Sequence, residues 1–283
     1  MPFCRSMQLS MRCGGYVEIE EAHLSPGSVV AVMLSLCLLF IAVPVSAKDL
    51  ADAARRSAGA GASDPLAKTN KTDLKWTHLN EDGVTTNLWW IKGIYDFAKW
   101  GKLSYELTYA KTDDAGMITQ GWDNLSLKPL FFFGKGNVGY WKYGLATGFE
   151  LVLDFAEVNT GRGTLQGYGS GSDLFSPIVG ISFKKRNTIL TSTVQHYADF
   201  SGDQDVSVTA FHLVAIRKFD KGFWTKMDIV VPYDWNKEAV PGNIELELGR
   251  MITSFFGVYG SGLAGFADST LDWGASLNVR FIY

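Results

Sequence analysis

From Asp272 to Tyr283 the chain alternates. Trp273, Ala275, Leu277, Val279, Phe281 and Tyr283 are apolar or aromatic, while Asp272, Gly274, Ser276, Asn278 and Arg280 between them are polar or glycine, with Ile282 the exception. A period of two sorts side chains onto opposite faces only in an extended strand, so this stretch is predicted as a β-strand with one apolar and one polar face. Two architectures satisfy such a strand. A soluble sandwich turns the apolar face into a core, whereas a membrane-spanning barrel turns it to lipid and leaves the polar face on a wet lumen.

The rest of the chain separates these readings. From Thr72 onward about twelve segments of strand character follow one another, each near the length a tilted membrane strand needs. Leu103 to Ala110 and Trp141 to Asp154 alternate most cleanly, and Thr72 to Leu79 reads as the first strand. The connections alternate too. Short turns at Ala98–Gly101, Gly134–Asn137, Lys185–Asn187, Phe219–Gly222 and Ser254–Phe255 are interleaved with longer polar loops at Thr112–Gln120, Ala156–Ser172, Ser201–Gln204, Asp234–Gly242 and Ala267–Thr270. A sandwich has no reason to sort its loops by length; an outer-membrane barrel keeps short turns inside and longer loops outside. Trp89, Trp141, Tyr143 and Trp273 on the apolar faces read as interface girdles. The predicted fold is all-β, an antiparallel transmembrane β-barrel of about twelve strands spanning 72–283, with lipid as its surroundings. Its aromatic C-terminus is of the kind favoured by barrel assembly machinery, which is expected to engage the last strand.

The one continuous apolar run, Val29 to Val45, precedes a Val45-Ser46-Ala47 pattern of the kind cut on export. Residues 1–47 are therefore expected to be a signal peptide, with a retained anchor as the alternative. Glu18, Glu20 and Glu21 ahead of the run are unusual there, which suggests a true start downstream of Met1. Cys4, Cys13 and Cys37 all precede the cut, leaving the exported chain without thiols. Residues 48–71, rich in Ala, Gly and Ser, are expected to be a flexible periplasmic tail or a plug entering the barrel. A net charge of -3 with no long basic run argues against a nucleic-acid partner.

On this register the lumen face carries Lys92, Glu106, Lys128, Lys142, Glu150, Asp154, Lys226, Asp228, Glu245, Glu247 and Arg280 as pore-lining candidates. Strand direction sends Glu150, Asp154, Glu245 and Glu247 toward the outside and Lys128, Lys142, Lys226 and Arg280 toward the periplasm. The expectation is a field that changes sign along the axis and an unselective pore. The alternative is that these residues pair across neighbouring strands and fill a narrow barrel. Arg162 and Tyr168, in the glycine-rich loop Ala156–Ser172, are constriction candidates; no Gly-Lys-Ser/Thr follows, so a phosphate cradle is not indicated. His78, His196 and His212 are scattered without a His-x-Ser pattern or Cys neighbours, so neither a catalytic nor a metal site, nor any cofactor, is predicted.

Gly121-Trp122-Asp123-Asn124-Leu125-Ser126-Leu127-Lys128-Pro129 resembles the Gly-x-x-Asp-Leu-x-Leu-x-Pro pattern of the outer-membrane barrel family named for the phenol meta-degradation pathway. Asn159-Thr160-Gly161, Gly169-Ser170-Gly171-Ser172 and Pro177 are similar to that family's loop, with Asn159 where the family has Pro. The resemblance implies a barrel in the outer membrane that moves small hydrophobic or aromatic solutes, and it carries over no catalytic residue. The expected function is a passive channel or transporter. A barrel lipid hydrolase and a closed structural barrel are the alternatives.

Overall fold

The computed structural model describes residues 63–66, 69–114, 116–154, 159–160, 163–164, 172–202 and 205–283. The expected signal peptide, most of the segment 48–71, and Arg162 and Tyr168 lie outside the described residues. The strands run β1 (Lys71–Glu81), β2 (Val84–Ala98), β3 (Gly101–Asp114), β4 (Met117–Val138), β5 (Trp141–Asp154), β6 (Asn159–Thr160), β7 (Gly163–Thr164) and β8 (Ser172–Lys185). They continue with β9 (Thr188–Gly202), β10 (Ser207–Lys218), β11 (Phe223–Asp234), β12 (Pro241–Met251), β13 (Phe256–Ala267) and β14 (Leu271–Ile282). Each long strand pairs antiparallel with the next, and β1 pairs with β14, closing a twelve-strand barrel; β6 and β7 form a separate two-residue ladder.

Closure removes every sheet edge, as a barrel in lipid requires, because no water is there to satisfy an open edge. The side-chain sorting is inverted relative to a soluble protein. Along β14, Gly274, Ser276, Asn278 and Arg280 are buried inward while Trp273, Ala275, Leu277 and Phe281 are exposed on the outer surface. The same holds on β12, where Glu247 is buried and Leu246 and Leu248 are exposed. A protein that buries its charges and exposes its leucines on one continuous surface is a membrane-spanning barrel.

Two connections differ from the sequence expectation. Most of Thr112–Gln120 is not loop: β3 and β4 continue as a hairpin, with Thr112 paired to Thr119 and Asp113 to Ile118, and turn at Gly116 (φ 88°). Polar residues such as Thr112, Asp113 and Thr119 do not prevent a ladder. Likewise Gly134–Asn137 is not a turn but the inner part of β4. The register shift between Phe132 and Gly134 places a bulge at Phe133, after which Gly134–Asn137 pair in register with Lys142–Leu145 of β5, and the turn itself comes at Gly139 (φ 57°). The outer turn between β1 and β2 uses Asp82 (φ 49°) and Gly83 (φ 81°), the two left-handed residues of a tight hairpin.

The inner half of the lumen is filled by side chains. On the wall from β9 to β13, Ile189, Val214, Ile216, Trp224, Met251 and Tyr259 form one buried cluster, against which Ile282 packs. On the adjoining wall, β8, β5 and β4, Leu130, Ala146 and Ile178 pack with Leu66, which precedes β1. Leu66 therefore lies inside the barrel, against that wall.

Candidate functional site

The lumen is built by strand alternation, which brings every second side chain of all twelve barrel strands to one axis. A cavity of about 290 Å³ occupies it, with Ser63, Pro65 and Leu66 contributing to its lining. Of the expected pore-lining residues, Lys92, Glu106, Lys128, Glu150, Lys226, Asp228, Glu245, Glu247 and Arg280 all border this cavity. Lys142 and Asp154 do not. Lys142 is exposed near the start of β5, and Asp154, the last residue of β5, donates its backbone N–H to the carboxylate of Asp173 at 2.9 Å.

The charges are not segregated along the axis. Lys226 and Glu247 are direct partners across β11 and β12, as are Asp228 and Glu245. Lys226 Nζ lies 3.1 Å from Asp228, 3.8 Å from Glu247 and 3.9 Å from Glu245, while Lys75 reaches Glu245 at 3.1 Å. Lys128 pairs with Glu150 at 2.9 Å. Glu150 also accepts from Ser126 and Gln195, and Tyr197 approaches it at 3.5 Å. Acids and bases thus share the same levels, and the expected change of sign along the lumen is replaced by local neutralisation. Burial explains this: an uncompensated charge at these positions would be far more costly than a paired one.

At the inner end a second network ties the seam to the segment inside the barrel. Asp73 accepts from Arg280 Nε at 2.7 Å and Nη2 at 2.9 Å, from Lys71 at 2.9 Å and from the Tyr259 hydroxyl at 3.1 Å. The Arg280 guanidinium lies over the Tyr259 ring at 4.6 Å and the Trp224 ring at 5.3 Å. Its Nη1 donates to Ser63 Oγ at 2.7 Å, and Ser63 Oγ donates to Glu247 at 2.9 Å. Thr191 donates to the Asp64 carboxylate at 2.9 Å, and Lys102 donates to the Pro65 carbonyl. Lys71, Asp73, Lys75, Lys102, Trp224 and Tyr259 were not anticipated as lumen residues. Strand parity from Arg280 across the closing seam would have found Asp73. Trp224 and Tyr259 carry no such signal, since an aromatic residue in a membrane strand is first read as facing lipid.

The histidines have separate surroundings. His78 Nδ1 is 3.1 Å from Asn87 Oδ1, His196 Nδ1 is 3.0 Å from Thr209 Oγ1, and His212 borders the lumen cavity with a buried Nε2 that has no partner among the described residues. Among the described residues no group of His, Cys, Asp and Glu is arranged to hold a metal ion.

No family model matches the chain, and no curated protein matches it either. Solved structures do resemble it. The COG4313 outer membrane channel from Pseudomonas putida F1 superposes with a TM-score of 0.57 at 11% identity, covering 77% of this chain and 97% of that one. The KdgM porin in complex with disordered oligogalacturonate gives 0.51 at 10% identity, covering 75% and 99%. The NanC porin gives 0.50 at 9% identity, covering 75% and 98%. At these identities the likeness is one of fold: the chain is similar to outer-membrane channel barrels over nearly their whole length.

Proposed function

We propose that the protein is an outer-membrane channel for small solutes whose resting state is closed at its inner end by the residues preceding β1. The observation that carries this reading is the lumen cavity, walled by ionisable side chains and bounded by Ser63, Pro65 and Leu66. A polar interior inside an apolar exterior is what passage of water-soluble molecules across lipid requires. The fold likeness to outer-membrane channels supports the same location and role. The lining favours polar solutes over the hydrophobic or aromatic ones implied by the sequence resemblance. An apolar solute would leave a dense set of charged and hydrogen-bonding groups without partners.

The closing contacts support a second reading, a structural barrel that never opens. Both are tested by planar-bilayer conductance of the full exported chain and of the chain lacking residues 48–66. Low or intermittent conductance of the first with sustained conductance of the second supports the gated channel. A barrel that is folded yet silent in both forms refutes it in favour of the structural reading.

A further inference from the structure

Lysine and arginine heads and carboxylates line the lumen cavity in equal number, and the ion pairs described above join nearly all of them. Among the described residues the pairing leaves one cation and one acid, Lys92 and Glu106. These two are not distant from one another. They are direct Cα partners on β2 and β3, and both border the cavity. Cross-strand partners on one face stand about 5 Å apart at their Cβ atoms, close enough for a Lys and a Glu to join. No ion pair joins them here. Lys92 Nζ lies instead over the Trp90 ring, 5.8 Å from its centroid.

On the opposite side of the closed strand order, β10 and β11 bring His212 Nε2 and Asp228 Oδ1 to the same cavity, both buried and without hydrogen-bond partners among the described residues. A buried polar atom without a partner costs stability unless something completes it. One wall thus presents a cation and an acid on adjoining positions, and the other presents uncommitted polar atoms.

We propose that this cavity binds a small zwitterion bearing an ammonium and a carboxylate on one short skeleton, as an amino acid does. The carboxylate is held by Lys92 and the ammonium by Glu106. The ligand completes two charges that the barrel leaves open, at equal and opposite sign, so binding leaves the lumen neutral. A cavity of about 290 Å³ suits a ligand of this size. The inference deepens the reading of the lumen as a solute path and rests on it for its biological meaning.

The test uses three probes with matched skeletons: alanine, propionate and ethylamine. Binding to the refolded exported chain is measured by calorimetry, and conductance is measured on the same preparation. Alanine should bind at least about tenfold more tightly than either half-ligand, since each contributes only one of the two charge-assisted contacts. Lys92→Met and Glu106→Gln should each weaken alanine by about tenfold, and Lys92→Glu combined with Glu106→Lys should restore it. Folding of each variant is checked by the mobility difference between heated and unheated protein. Alanine binding no tighter than propionate or ethylamine overturns the proposal, as does full affinity in folded Lys92→Met and Glu106→Gln. Conductance without alanine preference removes the site and keeps the channel. Alanine binding without conductance, in both the full and the shortened chain, keeps the site and removes the channel.

Discussion

Arg280 of the last strand clasps Asp73 of the first through two parallel hydrogen bonds, 2.7 Å from Nε and 2.9 Å from Nη2, at the seam where the barrel closes. The two residues are direct partners in the β1/β14 ladder, and both are almost wholly buried. A side-on guanidinium fixes the carboxylate in plane, so the pair specifies register as well as attraction. One residue of slip in either strand would turn that strand's member of the pair toward lipid.

Breaking this pair should have unequal costs. Asp73→Asn leaves Arg280 and Lys71 both without their carboxylate, whereas Lys71→Met leaves the Arg280 clasp intact. We expect Asp73→Asn to lower folding stability by about 3–5 kcal/mol and Lys71→Met by clearly less. Urea titration of the barrel in lipid vesicles, followed by tryptophan fluorescence, measures both. Equal losses would show that Lys71 and Arg280 do not differ in their hold on Asp73.

The segment inside the barrel is held by an apolar contact as well as polar ones. Leu66 packs with Leu130, Ala146 and Ile178, so Leu66→Asp would put a carboxylate among groups that cannot solvate it. The expected result is release of the segment: raised conductance in planar bilayers, with unchanged heat-dependent gel mobility. Conductance no different from the unsubstituted chain would mean that the polar contacts of Ser63, Asp64 and Pro65 suffice alone.

How much of this was legible beforehand follows from what periodicity records. Alternation in β14 and β5 reports which face is polar, and it sets Arg280 and Glu150 on the lumen. It does not report height relative to a neighbouring strand, because that depends on register. Lys226 and Glu247 were therefore assigned to opposite ends although they are direct partners. Nor does it distinguish a glycine-rich paired strand segment from a turn, and Gly134–Asn137 was read as the latter. The seating of Leu66 is a contact between remote parts of the chain, with no local signature. Trp224 lies inward because Gly249 beside it lacks a Cβ: one added there would come within 2.1 Å of the indole ring. That accommodation belongs to a pair of strands and not to either sequence alone.

The outer surface gives a simple test of orientation in lipid. Leu277 is 65% exposed midway along β14, and its neighbour Ser276 faces the lumen and is 3% exposed. Leu277→Arg should lower stability in vesicles by about 2–4 kcal/mol, the cost of a charge near the bilayer midplane. Leu277→Ala should cost much less. A cheap arginine at this position would mean that the surface does not face hydrocarbon.

Lys226 faces three carboxylates, Asp228, Glu245 and Glu247, within 4 Å. While it is present, the lumen charges balance level by level, and a reversal potential near zero is expected across a potassium chloride gradient once the inner segment is removed. Lys226→Met leaves Asp228 and Glu247 without their only ion-pair partner among the described residues, while Glu245 keeps Lys75. An excess of fixed negative charge in a narrow, weakly screened space raises the local cation concentration and repels anions. The substituted barrel should therefore become cation-selective, with the reversal potential moving toward the potassium limit and the shift shrinking at high salt. Because removing a buried cation beside three acids also destabilises the fold, Lys226→Arg serves as the matched control, restoring charge without restoring the same geometry. Selectivity unchanged in Lys226→Met, with the barrel folded, would mean that permeating ions do not pass this ring.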